Sequence, residues 1–266
     1  MTEELDQGLS LLVHAHSKVG KSTLTSTAPL PIIVLDAEGS WRFIKKRGFS
    51  GAPLRVKSWN PMLTPPPRHN ATPENPTGDW DVIHVTVKEW QVLRKVYDWL
   101  TQAPHDFQSV VVDSISEVQR RCKANIAGTA QMQMQQWGEL LTQMDSLIRS
   151  YRDLNLMPGP VRCVVFVAET RLSNNKWRPY MQGQIDVSLP YWVDLCGYLY
   201  VEDEVDPASP VAGGTHKVRK LLVGPHPQYE SGERVQGALP DIVREPNIAE
   251  MMCTIFGDDC LEEASK

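Results

Sequence analysis

Short apolar runs that end in polar residues organise this chain. Ser10 to His14 (SLLVH), Ile32 to Leu35 (IIVL), Ser109 to Val112 (SVVV) and Arg162 to Val167 (RCVVFV) are nearly unbroken apolar stretches of strand length. Such runs fit strands buried on both faces, as in a parallel sheet. Val82 to Val87 alternates and reads as another strand, and two more are expected at 197–202 and 217–223. Between them lie helical segments at about 87–100, 116–127 and 135–153, and a short helix from about Lys21 that Pro29 and Pro31 stop early. Residues 51–80, with Pro65-Pro66-Pro67, read as a long irregular insertion, and 203–214 as the loop of a late β-hairpin. There is no internal repeat. Strands alternating with helices predict an α/β fold, a mostly parallel central sheet flanked by helices. We expect one domain over residues 1–266, with 257–266 as a flexible tail.

Ligands in such sheets bind beyond the carboxyl ends of the strands. Here those ends carry His14 to Ser22, Asp36 to Glu38, Asp113 to Ser114, and Glu169 to Thr170. The first reads H-A-H-S-K-V-G-K-S-T, residues 14–23. A phosphate-binding loop needs inward backbone N–H groups, a lysine for the terminal phosphates and a hydroxyl for Mg²⁺. Ala15, His16, Ser17, Lys18, Val19, Gly20, Lys21, Ser22 and Thr23 are therefore the candidate nucleotide-binding residues. Ala15 stands where the first glycine of such a loop usually sits. Lys18 either adds charge near the phosphates or faces solvent. Asp113 fits a carboxylate that holds Mg²⁺ together with Ser22, and equally a cap for the helix that follows. Glu38, just before Gly39, fits the carboxylate that positions and deprotonates water, or a capping acid. Asp36 is nearer the strand and fits a structural role.

V-L-D-A-E-G, S-V-V-V-D-S-I-S-E-V and G-K-S-T, in that order, resemble the RecA-like P-loop ATPase core. Over roughly residues 9–250 the chain most resembles small phage proteins of the Sak-four type, described as ATP-dependent single-strand DNA binding and annealing proteins. That resemblance implies ATP and Mg²⁺ as ligands, with Lys21 and Ser22 on the triphosphate and metal, Asp113 on the metal side, and Glu38 activating water. It implies a γ-phosphate sensor at Glu169 or Thr170, although an ionised Glu cannot donate a hydrogen bond. It implies self-association as a ring or filament, with a basic residue acting across subunits. The candidates for that residue are Arg234 in S-G-E-R-V-Q-G, or the set Lys217, Arg219 and Lys220, which reads as well as exposed strand charge. Single-stranded DNA is expected on a mobile loop, 171–183, through Arg171, Lys176, Arg178 and the stacking residues Trp177 and Tyr180. Residues 128–137 are a second flexible candidate. Arg42, Lys45, Lys46 and Arg47 form a third basic cluster, read as a helix face. A replicative helicase or loader of the same fold and a nucleotide-gated, non-hydrolysing DNA-binding module are the alternatives. A small-molecule kinase is disfavoured, because no lid with clustered arginines is recognisable.

The bulk composition changes this picture little. A formal net charge of -5 gives no global basic field, so polyanion contacts must come from local patches. The five cysteines, Cys122, Cys163, Cys196, Cys253 and Cys260, form no C-x-x-C pair, which predicts reduced thiols in a cytoplasmic setting. The acidic first residues carry no apolar signal segment, and no apolar run has membrane-spanning length, so no membrane partner is expected.

Overall fold

The centre of the molecule is a twisted sheet built outward from β1 (Leu9–Ala15). The computed structural model describes residues 8–70, 72, 74–75, 78–205 and 214–257. On one side β1 pairs in parallel with β6 (Cys163–Ser173), which pairs with β5 (Ser109–Asp113), then β2 (Ile32–Asp36), β4 (Val82–Thr86) and β3 (Val56–Trp59), all parallel. On its other side β1 pairs in parallel with β8 (Leu195–Val205), and β9 (Thr215–Leu222) and β11 (Ile242–Arg244) continue antiparallel. The short β7 (Lys176–Pro179) and β10 (Gly232–Glu233) attach to β6 and β8. One strand, β6, thus separates the loop strand from the Asp113 strand.

Both faces of the sheet are covered, which is why β1, β2 and β5 are buried at every position and mostly apolar. Leu12, Val110, Val112 and Phe166 point to one side, against α2 (Trp90–Gln102), α3 (Ile115–Ala127) and α4 (Met134–Arg152). Leu11, Val13, Val111 and Val165 point to the other, against α1 (Lys21–Thr25), Trp41 and α6 (Ile248–Phe256). A single turn, α5 (Ile185–Ser188), links β7 to β8.

Several sequence expectations are corrected here. The 51–80 insertion is not wholly irregular: it contributes β3, the edge strand, and Arg55 pairs with Asp81 at 2.7 Å. Helix α2 starts at Trp90, not Val87, whose N–H instead extends the β2–β4 pairing by donating to the Asp36 carbonyl at 2.8 Å. Residues 42–47 are not helical beyond a single 3-10 turn, Trp41–Phe43. Of residues 128–137, those from Met134 onward belong to α4. The expected mobile loop at 171–183 begins as a two-stranded ribbon. β6 runs on to Ser173 and returns as β7 through Asn174-Asn175, at φ 50° and 61°, the left-handed pair of a tight hairpin. The late hairpin is present as β8 and β9; the tip of its expected 203–214 loop, residues 206–213, lies outside the described residues, as does most of the 257–266 tail with Cys260.

Cys122, Cys163 and Cys196 are free thiols, and burial pushes those of Cys122 and Cys163 up to about 12. Among the described residues no helix is long and apolar enough to cross a membrane.

Candidate functional site

The site lies where β1, β2, β5 and β6 end together. β1 delivers the loop 16–20 and, through α1, Lys21 and Ser22. β5 delivers Asp113 at its last position, directly beside Asp36, the last residue of β2. Ser22 Oγ donates to Asp113 Oδ2 at 2.6 Å, across ninety-one positions of sequence. The Ser114 hydroxyl donates to Glu38 Oε1. The carboxylates of Glu38, Asp113 and Glu169 all act on the Lys21 ammonium, raising its pKa against a larger lowering from burial. The structure thus brings Lys21, Ser22, Glu38 and Asp113 together beyond the strand ends.

Asp113 is 1% exposed, and burial pushes its carboxyl up from 3.8 to about 6, against the Ser22 hydrogen bond that lowers it. Ser40 Oγ and Trp41 Nε1 also donate to Oδ2, each at 3.1 Å. Ser40 Oγ lies 2.9 Å from Ser22 Oγ, so two hydroxyls and one carboxylate face one point. Oxygen donors of this kind suit Mg²⁺, which takes few protein ligands and completes its shell with phosphate and water. Among the described residues no group of three His, Cys, Asp or Glu side chains is placed to hold a metal by itself.

Asp36 has the structural role expected of it. Fully buried, it accepts from the N–H groups of Gly39, Ser40 and Trp41 and lies 2.9 Å from His84 Nε2. It thereby fixes the turn that carries Glu38.

The loop itself is anchored below and beside. Lys21 Nζ donates to the carbonyls of Ala15 and His16 at 3.2 Å. His14, buried and with its pKa lowered by burial to about 4, donates from Nε2 to the Glu230 carbonyl at 2.6 Å. Its Nδ1 lies 3.0 Å from the Thr170 hydroxyl, which is also 3.1 Å from the Arg178 carbonyl. Thr170 is thus engaged at the base of the ribbon. Glu169 is bound by Arg120 in a two-pronged pair at 3.0 and 3.1 Å.

The ribbon expected to bind DNA stands beside the loop. Trp177 meets His16 edge-on, with ring centroids 4.7 Å apart. Lys176 and Arg178 share one acid, Glu230, at 3.3 and 3.5 Å, while Arg171 lies over the Tyr180 ring at 5.3 Å. Arg234 is elsewhere. Its N–H bonds the Asp194 carbonyl, level with Ser10, and its guanidinium contacts the Tyr191 carbonyl. Five strand residues separate Ser10 from Ala15, about 16 Å at strand rise, so Arg234 does not reach the loop of its own chain.

Ser40, Trp41, His84, Arg120 and Glu230 went unread in the sequence. Each acts through a partner tens of residues away, and none lies in a recognisable motif; only S-W directly after D-A-E-G offered a hint.

The model of the family described as "AAA domain" matches residues 7–235. The chain belongs to the AAA domain family. No curated protein matches it. Among solved structures, this AAA domain is similar to the flagellar accessory protein FlaH from Methanocaldococcus jannaschii, at 12% identity and a TM-score of 0.44, over 91% of this chain and 87% of that one. In this AAA domain the G-K-S-T stretch at the start of α1 and the Asp113 carboxylate at the end of β5 are joined by the Ser22 hydrogen bond.

Proposed function

We propose that this AAA domain hydrolyses ATP with Mg²⁺ and binds single-stranded DNA, in support of strand annealing or recombination, as its sequence resemblance to phage proteins implies. The observation that carries the chemistry is the convergence of Lys21, Glu38 and Asp113 beyond the ends of β1, β2 and β5. Lys21 binds and neutralises the terminal phosphates. Ser22 and Asp113, supported by Ser40 and Trp41, hold the magnesium, which supplies charge stabilisation when bound. Glu38, positioned by the Asp36 turn and by Ser114, takes the proton of the attacking water.

The DNA part rests on the β6–β7 ribbon. It offers Trp177 next to the loop and Arg171 over the Tyr180 ring, with Lys176 and Arg178 half-neutralised by Glu230. Non-specific contact of this kind is electrostatic and salt-sensitive. The place of Arg234, away from its own loop, supports a role toward a second copy of the chain, in a ring or filament. The test is the ATPase rate against added single-stranded DNA, for wild type beside Glu38→Gln and Lys21→Ala. We expect stimulation by DNA, retained ATP binding with lost turnover in Glu38→Gln, and lost binding in Lys21→Ala. ATP bound equally well after Lys21→Ala refutes the reading.

A further inference from the structure

Two side chains from distant elements meet against the phosphate loop, and no motif contains either. A Cβ added to Gly20 would stand 2.7 Å from a ring carbon of Phe49 and 3.3 Å from Arg219 Nε. Gly20, at φ 109°, thus leaves room for both. Arg219, on β9, lies over the Phe49 ring with its guanidinium carbon 3.4 Å from the ring centre. Its strand neighbours are committed elsewhere: Lys217 pairs with Asp203, and Lys220 with Glu202 and Glu204. Arg219 Nε is buried with no hydrogen-bond partner.

Phe49 is 37% exposed, large for an aromatic ring fixed against a loop. It also lines a cavity of about 820 Å³ between residues 47–51 and the start of α6. That volume is in the range of small-ligand sites. The lining mixes polar and apolar groups, and it includes Glu245 and Glu250 beside a single cation, Arg47. Two acids disfavour another phosphate there and suit the exocyclic amine of a nucleobase. An aromatic ring backed by a guanidinium, touching the phosphate loop at one edge and a cavity with ample room for a base at the other, is a stacking wall.

We propose that Phe49 and Arg219 form the wall on which the nucleoside of the bound nucleotide stacks, with its base directed into the cavity beside α6. The assignment rests on the nucleotide reading above, and its test separates the two. Calorimetric binding of Mg–ATP and of Mg–tripolyphosphate is compared for wild type, Phe49→Ala, Phe49→Trp, Arg219→Gln and Lys21→Ala. Tripolyphosphate has the phosphate chain and no nucleoside. Phe49→Ala weakens ATP about tenfold or more, the range of a lost stacking contact, and leaves tripolyphosphate unchanged. Phe49→Trp restores ATP binding, and Arg219→Gln weakens ATP alone by a smaller factor. Equal loss of both ligands in Phe49→Ala means that the ring only supports the loop, and overturns the proposal. Unchanged ATP binding in Phe49→Ala overturns it too. Wild-type protein that binds neither ligand, or Lys21→Ala that binds both normally, overturns the nucleotide reading itself.

Discussion

Asp113→Asn makes the protein without nucleotide or metal more stable at neutral pH. The carboxyl is 1% exposed and titrates at about 6 instead of 3.8, chiefly because burial opposes its charge. Asparagine keeps an oxygen for Ser22, Ser40 and Trp41 but carries no charge at any pH. Ionising this carboxyl at pH 7 therefore costs the fold about 3 kcal/mol. The sign follows from the raised pKa. Below about 4 the group is protonated in both folded and unfolded chains, and the penalty is absent. It grows as pH rises from 4 to 6 and is complete above 6. Urea unfolding in EDTA at pH 7.5, 6 and 5 is the assay. The gain from Asp113→Asn is greatest at pH 7.5 and shrinks steadily as pH falls. Saturating Mg–ATP reverses the order, because it stabilises wild type and gains little on the variant. A variant less stable than wild type at pH 7.5 in EDTA, or a difference independent of pH, refutes the account of Asp113 as a charge held ready for a cation.

Three further outcomes follow from single contacts. Trp41→Phe removes the indole donor at 3.1 Å from Asp113 Oδ2, a hydrogen bond to a charged group worth roughly 1.5–3 kcal/mol; urea midpoints should fall accordingly at pH 7.5, and the Mg²⁺ concentration needed for half-maximal ATPase should shift. Asp36→Ala strips the acceptor from three backbone N–H groups and His84, and should cost roughly 3 kcal/mol or more of stability while abolishing turnover through the Glu38 turn. Glu230→Gln releases Lys176 and Arg178, so single-stranded DNA should bind several-fold more tightly at low salt, with a steeper salt dependence in fluorescence anisotropy titrations.

The sequence showed the sheet's centre plainly and its margins poorly, for physical reasons. Ile32 to Asp36 and Ser109 to Asp113 are buried at every position, so their apolar runs could not be missed. β3 has three exposed residues out of four, Val56, Lys57 and Ser58, and an edge strand with one wet side has no such run. β6 beyond Ala168 changes from a buried strand to a partly exposed ribbon, so its pattern dissolves just where its hairpin begins. The site divides in the same way. Lys21, Ser22, Glu38 and Asp113 were legible because each follows a strong strand. Their supports were not: Trp41 reaches Asp113 across 72 positions, and Arg120 reaches Glu169 across 49. Only the folded chain brings those pairs together.

The one departure from the phosphate-loop pattern also changes meaning in the fold. Ala15 occupies the first-glycine slot, yet it is still strand: it is the last residue of β1, paired with Glu169 and buried in the core. Extended backbone accepts any residue, so a glycine is not needed there. The turn is made further on, at Lys18 with φ 63° and at Gly20 with φ 109°. Gly20 adopts that conformation freely, whereas a side-chain-bearing residue in it costs about 1 kcal/mol or more. The strained residue of this loop is therefore Lys18, a cation next to the expected phosphates. What reads in the letters as a missing glycine is, in the structure, a strand that runs one residue longer and a turn that carries a charge.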